Sequence, residues 1–85
     1  RAEDVMIEWH NMNDHSVDGR SLRTADNWKL NLYRDDAPEL YNLNTDPGEL
    51  RNLGRDGAQR DQIRRLADRI LAWQKQHRDT MPLTS

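Results

Sequence analysis

The chain of 85 residues has no cysteine, and that one absence removes disulfide staples, thiolate metal sites and a cysteine nucleophile together. It has no apolar run approaching the roughly 18 residues that a membrane span needs, and no charged-then-apolar leader opens it. Neither a membrane span nor a signal peptide is expected. Arg1 stands where a methionine would start a translated chain, which fits a processed or excised segment. Internal repeats and low-complexity stretches are missing too. What is present is polar: 34% of residues are hydrophobic and 33% charged, yet tryptophan and leucine are plentiful enough to argue against wholesale disorder. A single domain of this size buries only roughly 60–65% of its unfolded surface, so the expected core is thin.

Charge is unevenly placed. The net charge is -2, but the residues from 55 onward form a basic segment, rich in arginine, behind an acidic first half. A basic helix can track phosphates, which would make the chain a free-standing module for nucleic acid or another polyanion. The same asymmetry arises when a solvated helix lies beside acidic neighbours, and a chain acidic as a whole favours that second reading.

Periodicity marks the elements. In DVMIEW (residues 4–9), Val5, Ile7 and Trp9 alternate with Met6 and Glu8, the period of a half-buried strand. Residues 10–20, HNMNDHSVDGR, are polar and aperiodic and read as a long loop; SLRT (21–24) is a short candidate strand. After a turn at Ala25-Asp26-Asn27, WKLNLY (28–33) is the clearest strand, and ELYNL (39–43) follows the charged turn RDDAP as a fourth. Asp46-Pro47-Gly48-Glu49 reads as an N-cap, a proline at the first helical position and a capping-box glutamate, predicting one helical turn that drops Leu50 and Leu53 onto the core. Asp56 with Gln59 opens a second box. The helix that follows carries Ile63, Leu66, Ala67, Ile70, Leu71, Trp73 and His77 on one face, with an Asp61–Arg65 pair and a stop by Pro82.

The expected fold is therefore α+β: a small antiparallel sheet of about four strands with one long C-terminal amphipathic helix packed on one face. It occupies residues 1–79, with 80–85 as a flexible tail. The helix covers one side of the sheet, and a neighbour outside the chain is expected on the other.

Arg23-Thr24 ahead of Trp28-Lys29-Leu30, then Glu39-Leu40-Tyr41-Asn42-Leu43, then Asp46-Pro47-Gly48-Glu49 with Asn52-Leu53, and a last helix holding Trp73, form an ordered series. Each piece is weak alone, but their order and spacing resemble the C-terminal subdomain of the sulfatases, the arylsulfatase-like sulfuric ester hydrolases, over residues 20–79. One departure is Asn42, where the family more often has aspartate. The resemblance implies a minor antiparallel sheet crossed by the terminal helix, bracing an N-terminal α/β catalytic domain that cleaves sulfate esters. That domain would hold calcium and a formylglycine made from Cys or Ser in C/S-x-P-x-R, and the parent would be periplasmic or secreted. Ser16-Val17-Asp18-Gly19-Arg20 approaches the motif but has Asp18 in place of proline, so no catalytic residue is assigned to this chain.

The polar loop at 10–20 departs from the patterns of known metal sites. An EF-hand beginning at Asn11 fails at its fifth position, His15, and two histidines five apart make a poor zinc site without further ligands. No metal is expected there. By resemblance, the loop can reach the rim of the sulfatase pocket and touch a sulfated substrate beyond its sulfate. His15, able to bond a sugar hydroxyl, and Arg20, with its planar fork for an anion, are the candidate substrate-binding residues. Trp28 and Trp73 could form a stacking platform, but their periodic placement favours a core role. Lys29 and Arg23 are candidates to pair with Glu39 or Glu49.

Overall fold

A computed structural model describes residues 5–10, 18–34 and 37–84, with the backbone alone for residues 5–10 and Asp18. Four strands, β1 (Val5–His10), β2 (Asp18–Arg23), β3 (Trp28–Tyr33) and β4 (Glu39–Asn42), form one antiparallel sheet in sequential order. A single 3-10 turn, Gly57–Gln59, leads into helix α1 (Arg60–Gln76), which packs across β2 and β3. The class is α+β.

Alternation decides which side of the sheet each residue serves. The register pairs Leu22 with Leu30 and Leu30 with Leu40, so these leucines share one row system with Leu32 and Trp28. Against it α1 sets Leu66, Ala67 and Ile70, one and three residues apart, as a helical stripe requires. Leu30, Leu40 and Ile70 are wholly inaccessible, and burying each such side chain contributes about 1.5–3 kcal/mol. Trp28, Leu53, Ile63 and Leu83 close the edges of this core.

Several local expectations are corrected. β2 begins at Asp18, so three residues assigned to the loop are strand; backbone pairing with β1 and β3 tolerates their polarity. The predicted helical turn after Asp46 does not form. Glu49 takes a left-handed backbone (φ 55°), and the Asp46 carboxylate accepts from Leu50 N–H at 2.9 Å and Arg51 N–H at 2.8 Å instead of capping a helix. Those two N–H groups hold the Asp46 carboxyl below its ordinary range. Leu50 consequently points away from the core, 91% exposed, while Leu53 packs onto it as expected.

Asp56 does cap, accepting from Ala58 N–H at 3.0 Å, but the first turn is 3-10. On α1, Leu71 is half exposed, and Gln74 takes a buried position through a bond from its Nε2 to Met81 O at 3.0 Å. Arg65 bonds Gln62, one position nearer than the expected Asp61. The helix ends in a Schellman motif: Asp79 N–H donates to Gln74 O at 2.7 Å and Arg78 N–H to Lys75 O at 3.4 Å, with Arg78 left-handed (φ 55°) where glycine is usual.

Residues 80–84, expected to be loose, carry tertiary contacts. Thr84 forms an antiparallel bridge to Tyr33, its N–H donating to Tyr33 O at 2.8 Å and its hydroxyl to Arg34 O at 2.9 Å, and Leu83 reaches the core.

Candidate functional site

The stretch ELYNLNTDPGELRNL folds into a corner that seals the outer edge of β4. Leu40 would present an unpaired N–H and C=O there, a template for unwanted strand pairing. Asn52 Oδ1 accepts from Leu40 N–H at 3.0 Å, and Leu53 N–H donates to Leu40 O at 2.8 Å. Asn52 Oδ1 also takes Gly54 N–H at 2.8 Å, and Gly54 approaches so closely that a Cβ there would lie 2.1 Å from Pro38 O. Only glycine fits. Across the corner, Asn44 bonds Asn27 and Asp26 O, and Leu43 N–H donates to Asn27 O at 2.8 Å, so the β2–β3 turn and the β4 exit are tied together. Asn27 accepts the left-handed backbone of that turn (φ 66°), as asparagine does more readily than most residues.

Of the two residues expected to touch substrate, His15 lies outside the described residues. Arg20 is placed on the helix-facing row and is 3% exposed. Its Nε and a terminal nitrogen reach the Asp79 carboxylate at 2.5 and 2.9 Å, and the other terminal nitrogen donates to Gly19 O at 2.7 Å. A two-point guanidinium–carboxylate contact is among the stronger polar contacts a protein makes. Arg20, chiefly by its hydrogen bonds, holds the Asp79 carboxyl below the usual carboxylate range, and Met81 N–H adds to this. Here the arginine fork ties β2 to the chain just beyond α1. The sequence offered no local sign of this, since the partner is 59 positions away.

Across β2 to β4, the face of the sheet away from α1 carries a polar ladder. Ser21, Asn31 and Glu39 are directly opposite one another across β2, β3 and β4. Asn31 Nδ2 donates to Glu39 Oε1 at 3.2 Å, and Tyr33 donates its hydroxyl to the same oxygen. Burial, followed by the bond to Glu39, pushes the Tyr33 hydroxyl well above the usual phenol range; burial raises that of Tyr41 too. Ser21 (3% exposed), Tyr41 (8%) and Asn31 (9%) are covered by the chain itself. The Ser21 Oγ and Asn31 Oδ1 atoms are buried without a hydrogen-bond partner. Lys29 reaches Glu49 at 3.0 and 3.2 Å, one of the pairings foreseen, while Arg23 bonds Asn27 at 3.3 Å rather than either glutamate.

Trp28 packs on the core and Trp73 is half-buried, its ring stacked on His77 at 4.5 Å between centroids. Trp73 is therefore stacked on the residue that ends its own helix and is not an open platform. Among the described residues, no three His, Asp or Glu side chains come together as a metal-ion cluster. An open groove of about 500 Å³ lies between α1 and the 54–57 turn, with Pro38, Ile63, Ala67 and Leu71 along it and Arg55, Arg60 and Arg64 at its rim. Comparisons with protein families, curated proteins and solved structures find no match to this chain.

Proposed function

We propose that the chain is the C-terminal subdomain of a sulfatase, a bracing element for an N-terminal α/β domain that hydrolyses sulfate esters and supplies the calcium and formylglycine. The observation that carries this reading is the ordered motif series from Arg23 to Trp73, of which the pieces from Thr24 to Leu53 meet around β4. Thr24 closes the β2–β3 turn, its hydroxyl accepting from Trp28 N–H at 3.0 Å; Glu39-Leu40-Tyr41-Asn42 is β4; and Asn52-Leu53 seals the β4 edge. A motif set with such close structural interdependence is a stronger sign of common architecture than any one of its pieces.

The division of labour in this reading places no nucleophile in the chain. Its own residues position: the corner fixes the loops around β4, and the Arg20–Asp79 pair fixes the start of β2, from which the preceding loop departs. A substrate-lining role for that loop, with His15 as the candidate contact, belongs to the same proposal.

The test has two arms. The coding sequence upstream of Arg1 is expected to contain C-x-P-x-R or S-x-P-x-R, and the joined protein to release sulfate from an aryl sulfate while the 85-residue chain releases none. Sulfate release by the isolated chain, or an upstream sequence lacking the motif, refutes the proposal.

A further inference from the structure

The groove beside α1 combines an apolar floor with a cationic rim. Ile63 and Pro38 are half-buried, Ala67 is buried, and Leu71 is one of two large hydrophobic residues that stand exposed among the described residues. Arg55, Arg60 and Arg64 are exposed, and among the described residues no hydrogen bond or ion pair engages their guanidinium groups. The described acidic side chains of the groove, Asp56 and Asp68, offset two of these three charges and leave the rim net positive. Asp56 turns a carboxylate oxygen to Ala58 N–H, and among the described residues neither it nor Asp68 forms an ion pair with the three arginines. Asp56 also occupies the start of the helix, so an incoming anion would meet the arginine forks rather than the backbone N–H groups there.

We infer that this groove docks an acidic peptide segment carrying an aliphatic side chain, with its carboxylates on Arg55, Arg60 and Arg64 and the aliphatic group over Ile63, Ala67 and Leu71. Charge complementarity chooses the sign of the occupant, since three arginine forks without partners favour carboxylates. The floor chooses its class. A nucleic acid would engage the rim through phosphates and leave the apolar strip uncovered, whereas a peptide with alternating acidic and aliphatic residues satisfies both. The inference stands on the groove and does not depend on the sulfatase reading.

A fluorescent peptide of alternating glutamate and leucine, titrated with the 85-residue chain and followed by anisotropy, tests it. Saturable binding is expected, with loss of about tenfold in affinity for the Arg60→Glu/Arg64→Glu double variant and a smaller loss for Leu71→Ser. All three substituted side chains are exposed, and circular dichroism checks that the variants stay folded. A lysine-leucine peptide of the same length is expected not to bind. No saturable binding of the acidic peptide at millimolar chain, or equal binding by the double variant, overturns the inference. So does tighter binding of a labelled oligonucleotide, or dimerisation of the chain that the double variant abolishes.

Discussion

Leu30 and Asn31 are adjacent in β3, yet the first faces α1 and is wholly inaccessible, while the second joins a polar ladder on the opposite side and is still only 9% exposed. Across the described side chains of β2 to β4, residues on both sides of the sheet are buried, by opposite means. On the helix side, leucines meet Leu66, Ala67 and Ile70, and Arg20, the one buried charge among the described residues, is matched by a two-point contact with Asp79. On the other side, Asn31 and Tyr33 converge on one oxygen of Glu39, while Ser21 Oγ and Asn31 Oδ1 are left unpaired. The apolar side gains from every buried methylene. The polar side does little more than offset the loss of water around its own groups.

That contrast breaks most sharply at Leu30. Leu30→Ala opens a void in the core and is expected to cost about 3 kcal/mol in urea unfolding, against about 1 kcal/mol for Asn31→Ala next to it. Equal costs would mean that the two sides are built alike.

Next comes the response to pH, where the sides should fail in opposite directions. The Asp79 carboxyl is held below its ordinary value, so the folded chain binds that proton more weakly than the unfolded chain. Its contribution is complete above the ordinary carboxylate value of about 4 and is lost as pH falls below it, through the folded value. The Tyr33 hydroxyl is raised, so the folded chain holds that proton more tightly. Its contribution is complete below the ordinary phenol value of about 10 and is lost as pH rises through the folded value. Asp79→Asn, expected to cost about 2 kcal/mol at neutral pH, should flatten the acid limb of a stability–pH profile. Tyr33→Phe should flatten the alkaline limb. A shared limb for both variants would defeat the assignment.

Smaller effects carry the opposite sign. Arg78 bears the left-handed backbone that lets the Schellman motif deliver Asp79 to Arg20, so Arg78→Gly is expected to stabilise by about 1 kcal/mol, read as a rise in the thermal midpoint. On the polar side, Ser21→Ala removes a buried hydroxyl that has no partner, and a gain below about 1 kcal/mol is expected in the same measurement. A loss there would show that the hydroxyl finds a partner in solution.

The motif series and the polar loop were visible as pieces of sequence, but the corner at the β4 edge was only half legible. Asp46-Pro47-Gly48-Glu49 has every local sign of a helix start, yet the chain must turn back to bring Asn52 and Leu53 to the open edge of Leu40, and a continuing helix would carry them past it. Tertiary bonding overrode a local preference, and Glu49 took the left-handed backbone that results. Arg20 was legible as an anion-binding group, which it is, but the carboxylate it holds belongs to Asp79 of the same chain.

By itself the sequence determined the α+β class, strand β3, the stripe of Leu66, Ala67 and Ile70, and the cap at Asp56, because periodicity and capping act between residues a few positions apart. Only the tertiary structure decided the partner of Arg20, the attachment of Thr84 beside β3, the sealing of the β4 edge and the burial of Ser21 and Asn31 on the second sheet face. Each of these depends on groups distant in the chain meeting in space, and neither composition nor local pattern carries that information.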